Sequence, residues 1–100
     1  MKVVTICGSV RFRERMEKEK QRLNSEGNWA FIPENMEFDA QLVKDPSIKQ
    51  RLDILHKKKI ELSDEILVVN VGGYIGWSTR EEILYAQDLG LPVKYMEANE

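Results

Sequence analysis

Two adjacent glutamates, Glu81 and Glu82, follow a glycine-rich loop in the segment GGYIGWSTREEILYA, residues 72–86. The pattern predicts a helix here, in which Ser78 is the N-cap and Glu81 closes a capping box with it. With about 100° per residue, Glu82 lies roughly 50° from the centre of the apolar helix face, and Glu81 roughly 150° from it. Glu82 is therefore predicted to lean inward. It is either an ordinary first-turn acid favoured by the helix dipole or a carboxylate directed into a cleft.

The loop that follows the first apolar run holds a second group of candidate residues. The run KVVTIC (2–7) predicts a buried strand, and GSVRF (8–12) follows it. Cys7 and Arg13 have the cysteine-x5-arginine spacing of phosphatases, in which a thiolate attacks phosphorus while loop amides and the arginine hold the oxygens. Glu14, however, stands where a serine or threonine normally follows that arginine. A buried, structural Cys7 is the alternative interpretation.

Strands and helices alternate along the chain and would position both loops. The pair Asp45-Pro46 indicates a helix start, with an N-cap residue followed by proline at the first helical position. The segment 34–45 has no firm period, and we predict a loop with at most a short helical turn. Strands are predicted at 2–7, 28–33, 64–71 and 92–96, and helices at 11–24, 46–62 and 79–89.

Such an alternation with short connections predicts parallel strands joined by right-handed crossovers, with helices on both faces of the sheet. The first and third strands are apolar on both sides, as central strands are, whereas Val93, Lys94 and Tyr95 alternate as in an edge strand. We therefore predict a single α/β domain over residues 1–100: a three-layer, Rossmann-like (flavodoxin-like) fold with strand order 2-1-3-4. Ligands of such sheets bind beyond the carboxyl ends of the strands, which would bring 8–12 beside 72–78.

Several short motifs lie in the same order as in one known family. They are Gly8-Ser9-Val10-Arg11 after the first strand, Ser63-Asp64 before the third, the glycine loop GGYIG, and Glu82 with Ala86 four residues on. From residue 3 to about 96 the chain resembles the nucleoside 2-deoxyribosyltransferases and the related 2'-deoxynucleoside 5'-monophosphate N-glycosidases. In this family the first strand ends in Gly-Ser-x-Arg and the third usually opens with Ala-Asp. The family's final loop usually reads glycine-x-glycine-x-glutamate, whereas here Gly76 precedes Glu82 by six residues.

The resemblance implies a chemistry and a role for Glu82. In the family, a glutamate attacks C1' of a 2-deoxyribosyl group and releases the base, and the glycosyl ester then passes to water or to another base. It further implies that Gly8 and Ser9 bring backbone amides close to the substrate and that Arg11 pairs with a 5'-phosphate. The remaining substrate contacts that it implies are Gly76 and Ser78.

His56 stands where the family usually has an aspartate that assists proton transfer to the base. Histidine can do acid–base work near neutral pH. It shares its helix with Leu52 and Ile60, however, so a packed, structural histidine is the alternative. The same cleft could also serve a binding module without catalysis, with Glu82 contacting a ribose hydroxyl. In both cases Tyr74 and Trp77 could stack on a base.

Composition narrows the class of protein and of partner. The chain of 100 residues is 42% hydrophobic and 32% charged, which is typical of a soluble globular domain. A net charge of −2 argues against binding to nucleic acid polymers or to a membrane surface. With one cysteine, no signal peptide pattern and no run of about 18 apolar residues, a cytoplasmic protein is expected. We expect a deoxynucleoside or deoxynucleotide ligand, no cofactor and no metal. We also expect a homodimer, with its contact in the segment 34–45 at Met36 and Phe38.

Overall fold

The structure, a computed structural model, describes residues 1–33 and 44–98. Two short 3-10 turns follow the first and third strands, at Val10–Phe12 and Val71–Gly73. The strands are β1 (Val3–Gly8), β2 (Trp29–Phe31), β3 (Glu65–Val69) and β4 (Val93–Tyr95), and the helices are α1 (Arg13–Ser25), α2 (Pro46–Glu61) and α3 (Trp77–Asp88).

The four strands form one parallel sheet in the order β2-β1-β3-β4, as predicted. β1 and β3 are its central strands, and their register places Gly8 beside Val69 at the carboxyl edge. All five residues of β3 are buried, and the four that follow Glu65 form its continuous apolar run. β4 lies at the edge and alternates as expected, with Lys94 exposed between two half-buried neighbours.

Helices cover both faces of the sheet and make the three-layer α/β/α architecture. On one face, Met16 and Leu23 of α1 pack with alternate residues of β1, including Val4 and Ile6. On the other face, Cys7 of β1 packs with residues of both remaining helices. This second cluster contains Ile60 of α2, and Ile83 and Ala86 of α3.

The two helix starts after residue 44 differ in how well the sequence predicted them. α2 begins as predicted, with the Asp45 side chain accepting the Ser47 backbone N–H at 2.9 Å. The predicted capping box of α3 is wrong. The Arg80 amide donates to the Gly76 carbonyl at 3.0 Å and so starts the helix at Trp77, which makes Gly76 the N-cap. Ser78 then lies within the first turn, and no side chain caps the helix.

The predicted loop at 34–45 falls outside the described residues over positions 34–43. This applies also to Met36 and Phe38, the residues on which the predicted dimer contact depends. Among the helices in the described part of the chain, none has the length and the apolar character needed to cross a bilayer.

Candidate functional site

Glu82 lies in the second turn of α3, and its side chain points toward the interior as the helical periodicity predicted. Its side chain is 15% exposed, whereas the neighbouring Glu81 is exposed to solvent. The inward direction follows from the helix face, because Ala86 and Ile83, about 40° and 100° from it around the helix axis, pack against the sheet. The two adjacent glutamates therefore occupy different environments although their chemistry is the same.

His56 of α2 holds the Glu82 carboxylate from the opposite side. Its Nε2 lies 2.9 Å from Glu82 Oε2, and the imidazole is buried between Leu52 and Ile60 on the same helix. Its other ring nitrogen, Nδ1, is buried and has no hydrogen-bond partner among the described residues. A buried N–H without a partner is rarer than an unsatisfied acceptor, so we assign the ring proton to Nε2, which donates it to Glu82. His56 is therefore packed, as one alternative predicted, and is also bound to the carboxylate, whereas acid–base work by this residue stays a prediction.

Cys7 lies directly behind this pair. Its Sγ is fully buried and lies 3.6 Å from Nε2 of His56. Burial, and after it the negative charge of Glu82, raises the pKa of the Cys7 thiol well above its usual value. Arg13, its partner in the phosphatase spacing, points its guanidinium to Glu17 at 3.3 Å. A protonated, enclosed thiol is a poor nucleophile, and this geometry therefore gives no support to phosphatase chemistry.

A cavity of about 260 Å³ opens in front of the carboxylate at the carboxyl ends of β1 and β3. This is the position expected for a ligand of a parallel sheet with this strand order. Four of the predicted site residues besides Glu82 and His56 line it: Gly8, Ser9, Gly76 and Ser78. The other lining residues are Val10, Pro33, Lys49, Leu52, Asp53, Tyr74, Trp77 and Thr79.

Gly8 is required at the floor of this cavity by close packing. A Cβ atom built on Gly8 would lie 3.0 Å from Met16 Sδ and 3.2 Å from the carbonyl oxygen of Val69. The carbonyl belongs to the neighbouring strand and cannot move away. Directly after it, the Ser9 hydroxyl accepts the Arg11 backbone N–H at 3.4 Å and caps the 3-10 turn. Strand β1 therefore ends in a tight bend that leaves its backbone open to the cavity.

Arg11 is the one predicted site residue that does not line this cavity. Its guanidinium lies over the ring of Tyr74, 3.9 Å from the ring centroid, and Phe12 meets the same ring edge-on at 5.9 Å. Tyr74 in turn approaches Gly76, where an added Cβ would lie 3.6 Å from the phenol oxygen. The tyrosine thus joins the loop after β1 to the loop after β3, and the cation–π contact holds Arg11 beside the cavity rather than within it.

The loop after β3 is anchored by a residue that the sequence analysis missed. Asn70 is fully buried, and its side-chain amide exchanges two hydrogen bonds with the backbone of Glu97, at 2.9 and 3.0 Å. The Glu97 carboxylate also accepts the Gly72 N–H at 3.0 Å. Gly72 and Gly73 have φ values of 64° and 81°, in the left-handed region that favours glycine. The asparagine directly after a buried strand was the available signal.

Helix α2 contributes two further wall residues that sequence reasoning did not find. Lys49 and Asp53 lie one turn apart, and their charged groups are 3.7 Å from each other. Lys49 precedes His56 by two turns and Asp53 precedes it by one, so a helical count back from the histidine would have placed both on its side of the helix. They give the cavity a mixed charge opposite the first turn of α3.

The site also holds one set of side chains that could bind a metal ion. The ligand atoms of Cys7, His56 and Glu82 all lie within 4.8 Å of one another. A thiol, an imidazole and a carboxylate are the three side-chain types that bind zinc in proteins.

Searches against protein-family profiles, curated protein sequences and solved structures gave no match to this chain.

Proposed function

We propose that this chain cleaves or transfers the N-glycosidic bond of a 2'-deoxynucleoside or its 5'-monophosphate, with Glu82 as the nucleophile. The observation that carries the proposal is the position of the Glu82 carboxylate. It faces a cavity at the carboxyl ends of β1 and β3, and a buried histidine binds one of its oxygens. A fixed carboxylate at that edge of a parallel sheet is placed to act on a bound ligand.

The proposed reaction has two displacement steps at C1' of the sugar. In the first, an oxygen of Glu82 forms a bond to C1' while the bond from C1' to the base nitrogen breaks. The electron pair stays with the base, which takes up a proton. In the second, water or another base attacks C1', and the ester bond to Glu82 breaks. A water nucleophile gives up one proton, so the hydrolysis is balanced and the carboxylate is restored.

In this proposal His56 acts as a positioning residue for the nucleophile. Its Nε2–H binds Oε2 of Glu82, which leaves Oε1 available to attack. This hydrogen bond orients the carboxylate for attack. This role differs from direct proton transfer to the base.

The dimensions of the cavity favour a small sugar with a partly exposed base. A volume of about 260 Å³ is below the range of roughly 300–1,000 Å³ that is usual for sites enclosing a whole drug-sized ligand. The deoxyribose would lie between the backbone at Gly8 and the Glu82 carboxylate. The base would extend toward Tyr74 and Trp77, which are 41% and 78% exposed and present their rings for stacking.

The test is the release of free base from a panel of 2'-deoxynucleosides and their 5'-monophosphates. Glu82→Gln preserves shape but cannot form a stable glycosyl ester, so we expect base release to fall by at least about a thousandfold while ligand binding persists. Glu81→Gln is the matched control, since it makes the same chemical change one residue away on the exposed face. Glu81→Gln should retain the wild-type rate.

The alternative functions predict other results in the same experiment. A nucleotide-binding module would bind members of the panel and release no base with the wild-type protein. A phosphatase would release inorganic phosphate from the monophosphates and lose this activity in Cys7→Ser. The homodimer and the cytoplasmic location remain predictions, and sedimentation of the purified protein tests the first of them.

A further inference from the structure

Cys7, His56 and Glu82 come from three different elements and meet at one point. Cys7 lies in β1, His56 in α2 and Glu82 in α3. Sγ of Cys7 is 3.6 Å from Nε2 of His56, and the same nitrogen is 2.9 Å from Oε2 of Glu82. The remaining separation, between the thiol and the carboxylate, is within 4.8 Å.

Two of these separations are close to those of a tetrahedral zinc site, and the third stays within the 4.8 Å limit. Bonds of about 2.3 Å to sulfur and about 2.0–2.1 Å to nitrogen and oxygen put the sulfur about 3.6 Å from the nitrogen, and the nitrogen about 3.3 Å from the oxygen. The thiol and imidazole of this chain already stand at that distance. The imidazole and carboxylate would separate by a few tenths of an ångström as the metal replaces their shared proton.

The three groups also leave one side of the metal position open. His56 and Glu82 line the cavity, whereas Cys7 is buried behind them. The cavity therefore provides both a path for entry and a fourth coordination position for water or a ligand atom, as in zinc sites with three protein ligands. We propose that Cys7, His56 and Glu82 together bind one Zn²⁺ ion at the inner end of the cavity.

Binding requires two proton movements, of which the second places a proton on the buried Nδ1 of His56. The Cys7 thiol loses its proton to solvent, because a thiol that coordinates a metal is deprotonated. The imidazole keeps its proton but carries it on Nδ1, since Nε2 binds the metal. No oxidation or reduction takes place.

The environment of Nδ1 indicates a reversible site rather than a permanent one. A histidine that binds a metal usually donates its other N–H to a carboxylate or carbonyl, and loss of such a partner weakens metal binding about 10–100-fold. Nδ1 of His56 has no partner among the described residues. We therefore expect weaker Zn²⁺ binding than in a structural zinc site with the same three side-chain types.

Metal binding would compete with the reaction, an inference that rests on the proposed function. Zn²⁺ on Oε2 would draw negative charge from the Glu82 carboxylate and so weaken attack by Oε1, and the metal would also occupy the inner end of the cavity. Zn²⁺ is therefore an inhibitor in this proposal. The metal site itself does not depend on the glycosidase reaction.

Co²⁺ substitution tests the site without any measurement of activity. Chelator-treated protein is titrated with Co²⁺ under a reducing agent, and Zn²⁺ is then added to displace it. The wild type should develop visible tetrahedral bands and a thiolate-to-cobalt charge-transfer band at one equivalent. Cys7→Ala should lose the charge-transfer band and bind Zn²⁺ at least about 100-fold more weakly, because it loses a direct ligand.

Val68→Ala is the matched control, since Val68 belongs to the same buried cluster as Cys7 but offers no ligand atom. It should bind Co²⁺ as the wild type does, provided that circular dichroism shows all three proteins folded. Absence of the charge-transfer band in the folded wild type, or equal Zn²⁺ affinity in Cys7→Ala, would overturn the metal site.

If base release is observed, Zn²⁺ should inhibit base release by the wild type but not by Cys7→Ala. Equal inhibition of both proteins would refute competition at this site. If no base is released, the cobalt spectra still decide on the metal.

Discussion

The hydrogen bond between His56 and Glu82 predicts a measurable coupling energy between the two side chains. The perturbation is a double-mutant cycle with His56→Leu, Glu82→Leu and the double variant. Single variants do not isolate the bond, because His56→Leu also removes Nδ1, a buried nitrogen without a hydrogen-bond partner among the described residues. Removal of that unsatisfied group is favourable and partly hides the cost of the lost bond.

The size of the coupling follows from the charge and the burial of the pair. The bond joins an N–H to a carboxylate at 2.9 Å, with the two side chains 5% and 15% exposed. Hydrogen bonds to a charged group contribute about 1.5–3 kcal/mol. Values in the upper half of that range require full burial of both groups. Because Glu82 is partly exposed, we expect a coupling energy of about 1.5–2 kcal/mol.

Urea denaturation followed by circular dichroism is the assay. With an m value of about 1–2 kcal/mol per M, the coupling raises the midpoint of the double variant by about 0.8–2 M above the additive expectation. Equal m values across the four proteins establish that the same unfolding reaction is compared. Additivity to within about 0.5 kcal/mol would show that the bond contributes nothing in solution and would refute the positioning role of His56.

Three further predictions concern the sheet and the loops around the cavity. Burial tends to raise the pKa of Glu65, but hydrogen bonds from Lys2 and Lys94 outweigh burial and lower it below the usual 4.5. The stabilisation by ionised Glu65 and its two lysines is thus present above pH 4.5 and is lost as the pH falls through the lowered pKa. When the free energy of unfolding is measured at decreasing pH, the advantage of the wild type over Glu65→Gln should therefore vanish. Gly8→Ala should lower the free energy of unfolding by about 1–3 kcal/mol, because the new Cβ meets Met16 and the Val69 carbonyl; an unchanged urea midpoint would contradict this packing. Arg11→Ala should weaken nucleoside and monophosphate binding alike, by about two- to fivefold, through the lost contact with Tyr74. A loss confined to the monophosphate would show instead that Arg11 leaves the ring for the phosphate.

The fold was predictable because its signals are local. The continuous apolar runs identify β1 and β3 as central strands, the alternation of β4 identifies an edge, and Asp45-Pro46 identifies the start of α2. The strand order then follows from the handedness of the crossovers. The inward direction of Glu82 was predictable for the same reason, since helical periodicity fixes it within one turn.

The contacts that shape the site depend on distant parts of the chain and escaped the sequence analysis. Cys7 and His56 are 49 residues apart, and Asn70 and Glu97 are 27 apart, so no local pattern pairs them. The position of Arg11 on Tyr74 likewise joins two loops across the sheet edge. At Ser78 the local pattern was misleading, because the helix begins two residues earlier once Gly76 accepts the Arg80 amide.

The central claim is that Glu82 forms a covalent bond to the sugar. Its most direct test is rapid chemical quench of the wild type with a reactive 2'-deoxynucleotide, followed by proteolysis and mass spectrometry of the peptide that holds both glutamates. The account predicts a transient deoxyribosyl adduct whose fragment ions place it on Glu82, present in Glu81→Gln and absent in Glu82→Gln. Base release without an adduct on Glu82, or an adduct on any other residue, would contradict the account.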